Sequence, residues 1–311
     1  MAVVTSDYLS GVLTNFRALF EKDFEASMAQ QIWPGLVAEM PSDGEQNTYT
    51  WFGTVPQMQD VTHDSVEIGS LNRYNFSIVN NEYQAAIEVQ RAAMERDRLG
   101  LISPRISQLS EEAARHPGQL IWQMYESNPT AYDGTALFAN SRVIGGSGTI
   151  DNLLAGSGTS IAQFQTDLGT ARAAMRLYQD DQARPMDLLG NYIVIPPALE
   201  QMVWQALNTV QGDTINNRAL PASSTGQWQS SGYWVCVNPY LTDVNDWYLH
   251  SVSGATRRPW IYQIEKKPVV ESDINPLSRE AILQRNYLYS VYGRYNVGPT
   301  DPRYSVKIVN S

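Results

Sequence analysis

Residues 187–207 constrain the fold of this 311-residue chain more than any other stretch. Tyr192, Ile193, Val194 and Ile195 form a short apolar run rich in β-branched side chains, the pattern of a strand buried on both faces. Pro196 and Pro197 stop it, because neither offers an N–H to a ladder. Proline is also suited to the first turn of a helix, where N–H groups lack partners in any case. Leu199, Met202, Val203, Ala206 and Leu207 then recur at three- and four-residue spacing, and Glu200 sits in the first turn, where the helix dipole favours a carboxylate. This reads as a buried strand turning sharply into a helix that packs back on its own sheet, the core of a mixed α+β domain.

The rest of the chain is placed around that unit. Residues 6–25 read as an amphipathic helix capped by Ser6, with Leu9, Val12, Leu13, Phe16, Leu19, Phe20 and Phe24 on one side. So many Phe and Leu side chains need a partner surface, either the chain's own core or a neighbouring subunit. Residues 48–53 look extended. Tyr74, Phe76 and Ile78 share one face, and Tyr83, Ala85, Ile87 and Val89 share another. Asn80 and Asn81 between them suit a tight turn, so a hairpin or small sheet is expected that projects from the body.

Ser103 and Pro104 signal a helix start, with Ile106, Leu109 and Ala113 as its stripe. A kink or break is expected at Pro117 before Leu120, Ile121, Met124 and Tyr125 resume the pattern. Residues 127–159 read as loop. Their glycine clusters lack the Lys-Ser/Thr of a phosphate cradle and are read as flexible connector. Ser160 and Gln163 make a capping-box pair ahead of Ile161, Phe164, Leu168, Ala171, Met175 and Tyr178. Residues 212–231 read as a polar loop, and strands are expected at 233–238, 247–250, 260–264 and 286–297.

Composition excludes several classes. The chain is 43% hydrophobic, which is globular, and no apolar run approaches the ~20 residues of a membrane span. The first residues lack the basic start and apolar core of a signal peptide, so none is expected. Cys236 is the lone cysteine; it permits no internal disulfide and fits a reducing compartment. Net charge is −10 but uneven: residues 1–256 hold 27 acids and 13 bases, residues 257–311 hold 5 acids and 9 bases. Tight general binding of nucleic acid needs a basic surface and is not expected. The charge split fits either contact between opposite ends of identical subunits or local variation on a solvated surface.

Chemistry-bearing motifs are sparse. His63, His116 and His250 lie far apart and outside any metalloprotease pattern, and His116 reads as a helix-end residue. There is no nucleophile elbow. Asp180 and Asp181 near Arg184 read as an ion pair at a solvated helix end, and Glu111–Glu112 as a solvated helix face. No catalytic, metal or cofactor-binding residues are expected. A glycosidase pair assembled from scattered carboxylates stays open, as does a lectin, given 8 Trp and 17 Tyr.

The order of several motifs resembles major capsid proteins of tailed bacteriophages, in particular the major head subunit of Mu-like phages and prophages. Residues 46–53 (Gln-Asn-Thr-Tyr-Thr-Trp-Phe-Gly) look like the start of that family's extended loop, and residues 74–89 are similar to its returning strands. Residues 113–117 (Ala-Ala-Arg-His-Pro) with Leu120 and Ile121 resemble its long helix. Tyr132, Asp133, Gly134 and Phe138 match a family motif, although the His that commonly follows is missing. Residues 192–200 resemble a recurrent strand–helix element, residues 237–243 with 247–249 are the most specific match, and residues 292–294 resemble the closing strand, after which the tail departs from the pattern.

The resemblance implies the Hong Kong 97 type of α+β capsid fold. Residues 1–42 would be an N-terminal arm, 43–92 an extended loop, 93–158 a peripheral domain with a spine helix, 159–285 an axial domain, and 286–311 a return to the peripheral domain. It implies a non-enzymatic shell subunit that forms hexamers and pentamers around double-stranded DNA, without sequence-specific DNA binding and without cofactor or membrane. Its partners would be itself, a portal, a separate scaffold with a protease, and decoration proteins. Its place would be the virion, after assembly in the bacterial cytoplasm. An encapsulin-type compartment on the same fold is the alternative. Candidate subunit-contact residues are Phe16, Phe20, Phe24, Trp51, Phe52, Tyr74, Phe76 and Tyr83. Some shells of this fold join a loop lysine to a neighbour's asparagine; residues 43–92 contain no lysine, so no such cross-link is expected.

Overall fold

The computed structural model describes residues 6–52, 73–90, 92, 99–208, 227–254, 257–273 and 278–310. In chain order these form helix α1 (Ser6–Ala29), a 3-10 turn (Trp33–Leu36), strands β1 (Val37–Pro41), β2 (Gln46–Phe52), β3 (Arg73–Val79) and β4 (Asn81–Gln90), and the long helix α2 (Leu99–Ser127). Short strands β5 (Arg142–Val143), β6 (Thr149–Ile150) and β7 (Leu153–Ala155) lead to α3 (Ile161–Leu177), β8 (Tyr192–Ile195) and α4 (Glu200–Asn208). Strands β9 (Gln227–Ser230), β10 (Tyr233–Val237), β11 (Trp247–His250) and β12 (Trp260–Asp273) follow, then α5 (Arg279–Leu283), β13 (Asn286–Pro299) and β14 (Ser305–Val309).

β8 lies inside a six-stranded mixed sheet of order β7-β14-β11-β8-β10-β9, parallel to β10 and antiparallel to β11. All four of its residues are buried. Ile193 and Ile195 join a core with Phe164, Leu168 and Met175 of α3 and Val203 of α4. Tyr192 and Val194 join a second core with Ile121, Trp122 and Tyr125 of α2. Helices therefore cover both faces, which is why the strand shows no polar alternation. Pro197 opens a 3-10 turn that carries the chain into α4. The capping box of α3 is formed, with Ser160 Oγ accepting from Gln163 N and Gln163 Oε1 accepting from Ser160 N.

The second sheet has the order β1-β12-β13-β4, and β2–β3 and β5–β6 are two-stranded ribbons. A third core joins α1 and the first half of α2 to the far end of this sheet through Phe16, Phe20, Ile106, Leu109, Tyr287 and Tyr289.

The structure departs from the sequence reading in five places. First, β3 pairs with β2 and β4 pairs with β13, so residues 74–89 are not one hairpin. Asn80 is a buried junction. Its N–H donates to the Glu45 carbonyl (2.7 Å), its Nδ2 donates to Ser42 Oγ (2.9 Å) and the Gly44 carbonyl (2.7 Å), and its Oδ1 accepts from Gln263 Nε2 (2.7 Å). These bonds fix the point where the chain passes from ribbon to sheet.

Second, α2 begins at Leu99 and runs unbroken through Pro104 and Pro117. The bond lost at Pro104 falls on the carbonyl of Gly100, a residue open to water. Burial of Ile102, Ile106 and Leu109 in the third core holds the helix across it. Third, residues 227–230 leave the expected polar loop and form β9, anchored by Trp228 against Trp204 at 4.9 Å between ring centroids. Fourth, β12 extends to Asp273 past register shifts between Ile264 and Val269.

Fifth, the sheets cross the expected boundary at residue 285. β12 belongs with β13 in the four-stranded sheet, whereas β14 closes the six-stranded sheet against β11 and β7. The 286–311 segment therefore serves both sheets.

Candidate contact surfaces

Charged and polar side chains inside the fold are paired structurally. His250 lies between Tyr125 Oη (2.8 Å from Nε2) and Ser305 Oγ (2.9 Å from Nδ1), joining α2, β11 and β14. A serine beside a histidine resembles a nucleophile and its base. Here both are completely buried, and burial pushes the imidazole pKa down to about 3. Neither atom is within reach of a substrate from solution, so the trio acts as a strut between elements.

Arg142 pairs with Asp133 at 3.1 Å, and Arg303 Nε donates to Asp301 Oδ1 at 2.8 Å, all four side chains being buried or nearly so. Burial opposes the Arg303 charge, and Asp301 beside it more than restores it. Arg303 also donates to Tyr132 Oη (3.5 Å), tying the Tyr132–Gly134 motif to the tail of the chain.

Asp180, read as solvated, is in fact buried. Burial alone would raise its pKa. The backbone N–H groups of Arg184 and Gln182 and the Arg184 guanidinium donate to it and bring it below the usual carboxylate range. Cys236 is buried, and its thiol pKa is pushed up by burial, the opposite of a reactive cysteine. His116 lies within α2, not at a helix end, and His63 lies outside the described residues. Among the described residues no three His, Cys, Asp or Glu side chains converge as a metal site, and no helix is long and apolar enough to cross a membrane.

The eight candidate contact residues separate into three groups. Phe16 and Phe20 are buried within the chain itself, Phe16 edge-on to Tyr289 at 5.5 Å. These two side chains of the N-terminal helix face the chain's own core and offer little surface to a neighbour. Phe24, Phe76 and Tyr83 are half-buried: Phe24 stacks on Phe20 at 5.7 Å, and Tyr83 packs on His116 at 4.5 Å. Trp51, Phe52 and Tyr74 belong to the β2–β3 ribbon, where Trp51 pairs with Tyr74 and Phe52 with Arg73 in register. Their side chains lie outside the described residues.

Other apolar side chains are the exposed ones. Leu177 is 76% exposed, Leu283 69% and Ile282 58%. Leu177 stands off the stripe from Ile161 to Tyr178, a signal present in the sequence. Ile282 and Leu283 sit on the five-residue helix α5 beside a cleft lined by Gln90, Ala281, Arg285 and Asn286. Their sequence offers no comparable signal. Among the described residues, β4 pairs with β13 alone and the β2–β3 ribbon has no third strand, which leaves backbone edges to add to this surface. A two-stranded ribbon is marginally stable on its own.

A family model described as the Mu-like prophage major head subunit gpT matches residues 9–168. The Mu-like prophage FluMu major head subunit of Haemophilus influenzae is 25% identical over 147 residues, 47% of either chain, so the chain spans about half the length of this curated relative in the match. Among solved structures, a chain of the bacteriophage JBD30 procapsid is similar with a TM-score of 0.56 and 19% identity, covering 98% of this chain and 75% of that one. A chain of the cyanophage P-SCSP1u capsid gives a TM-score of 0.61 at 10% identity, covering 90% and 88%. These two likenesses establish a shared fold, that of phage capsid subunits.

Proposed function

Because the chain belongs to the family of Mu-like prophage major head subunits, we propose that it is the shell-building protein of a phage or prophage head. It self-assembles as hexamers and pentamers into an icosahedral shell around double-stranded DNA. The observation that carries this reading is that a procapsid fold runs through 98% of the chain, together with the family match. Family and fold mark a structural protein, and the inaccessible Ser305–His250 pair supports that reading.

In this reading residues 1–42 are the arm, 43–92 the extended loop, 93–158 the peripheral unit and 159–285 most of the axial unit, with 286–311 shared between the two. The contacts between subunits draw on Trp51, Phe52 and Tyr74, on the outward parts of Phe24, Phe76 and Tyr83, and on exposed Leu177, Ile282 and Leu283. Each contact is modest; strength comes from many engaging at once. The acidic balance, −10 overall, limits adhesion to packaged DNA near the wall, over a screening length of ~8 Å at physiological salt. A portal, a separate scaffold with its protease, and decoration proteins complete the head, which is built in the bacterial cytoplasm.

Native mass spectrometry of the purified full chain tests the assembly unit. Masses at six and five subunits, or larger sums of them, are expected. A strict monomer at high concentration contradicts the proposal.

A further inference from the structure

Three irregularities meet at one level of the molecule. In α2, Pro117 removes the N–H that would bond the Ala113 carbonyl. In β12, the register shifts between Ile264 and Val269. In β13, Gly293 faces that irregularity so closely that a Cβ there would lie 3.3 Å from Pro268 N and 2.9 Å from the Tyr295 ring. Regular hydrogen bonding is interrupted here in both the helix and the strands. The side chain that spans the gap is His116, whose Nδ1 is 2.9 Å from Tyr295 Oη and whose ring packs on Tyr83 at 4.5 Å. Tyr83 and Tyr295 also touch, at 4.9 Å.

We propose that His116 is a proton-sensitive latch that holds α2 to strands β4 and β13 at this shared weak level. In the latched state Tyr295 donates its hydroxyl proton to the neutral Nδ1. Protonation at Nδ1 turns that nitrogen into a donor, so Tyr295 can no longer donate to it and its hydroxyl must rotate away to accept instead. A cation also replaces a neutral ring in a half-buried position beside a cavity of about 110 Å³.

The groups facing it decide the direction. On α2 these are Glu112, one turn earlier and itself bonded to Arg115, and Ala113. From β4 come Tyr83, Gln84 and Ala85; from β12, Pro268; from β13, Val291, Gly293 and Tyr295. Glu112 is the one charged neighbour among the described residues lining the cavity. Burial lowers the His116 pKa and Glu112 opposes it, with burial prevailing. The folded chain therefore prefers the neutral ring. The folded His116 titrates below the ordinary histidine value of ~6.5, so the latch is complete at neutral pH and is released as the pH falls through that lowered value. It is a property of the single chain and does not depend on assembly.

Backbone hydrogen exchange of the full chain at pH 7.5 and pH 5, corrected for intrinsic rates, reads the latch at residues 118–122. Exchange there should be roughly fivefold faster at pH 5, a loosening comparable in size to one neutral hydrogen bond. The acceleration should vanish in His116→Gln and persist in His63→Gln. Equal protection at both pH values in the unmodified chain, or the same acceleration in His116→Gln, overturns the proposal. If His116→Gln does not fold, exchange at the imidazole Cε1–H, followed by mass spectrometry against pH, gives the His116 pKa directly. Tyr295→Phe keeps the ring contact and removes the donor, so that pKa should rise; an unchanged value overturns the proposal.

Discussion

Trp33 donates its indole N–H to the carbonyl of Ala114, 3.2 Å away and 81 residues further along the chain. The bond falls on the turn of α2 that Pro117 has left one N–H short. Gly118 completes the fit: a Cβ at that position would lie 2.7 Å from Trp33 Cδ1. The long helix survives its proline because a tryptophan from the segment after α1 binds the weakened turn from outside.

Gly118→Ala should therefore destabilise the chain although alanine favours helices. Overpacking against a buried indole costs about 1–3 kcal/mol, more than the ~1 kcal/mol that alanine gains over glycine in a helix. Thermal unfolding of the variant beside the parent checks the sign; an increase in Tm would show that the indole moves aside freely.

Val194 is buried at the centre of the six-stranded sheet, facing the core shared with α2. Val194→Asp places a carboxylate there without a partner, at a cost of several kcal/mol, a large part of the stability of an ordinary domain. Insoluble or unassembled protein is expected on expression. Normal particles from this variant would mean that the core has been misplaced.

His250 makes the fold sensitive to acid. Its folded pKa, about 3, lies below the ordinary value of 6.5, so the unfolded chain takes up the proton first. Its contribution is complete above pH ~6.5 and declines as the pH falls towards 3, by roughly 5 kcal/mol in all. Denaturant unfolding at a series of pH values should show this decline, and His250→Gln should flatten it. An equally steep decline in the variant would assign acid sensitivity to other groups.

Residues 43–92 contain no lysine, and the chain has only Lys22, Lys266, Lys267 and Lys307. Assembled particles boiled in detergent should therefore run as a single monomer band. A ladder of covalent multimers would reveal a cross-link using one of these four lysines.

What was legible in the sequence was what is local. The run from Tyr192 to Ile195, the two prolines and the stripe of α4 lie within twenty residues, and the Ser160–Gln163 box within four. Pairing across the chain was not legible. β3 chooses β2, and β4 chooses β13, because Asn80 finds its partners at Ser42, Glu45 and Gln263. Nothing near Asn80 in sequence announces them. Phe16 and Phe20 were recognisable as needing cover, but their cover is Tyr289 and its neighbours, some 270 residues away. For the same reason Leu177 was findable as a residue off its helical stripe, whereas the exposure of Ile282 and Leu283 depends on where a short helix sits at the end of a sheet.

The central claim is that this chain builds closed shells, and electron microscopy of the purified full chain, alone and co-expressed with the other head proteins of its phage or prophage, tests it most directly. Capsomers or tubes from the chain alone, and closed icosahedral shells in the co-expressed sample, are the predicted result. Uniform single-subunit particles in both samples would contradict it.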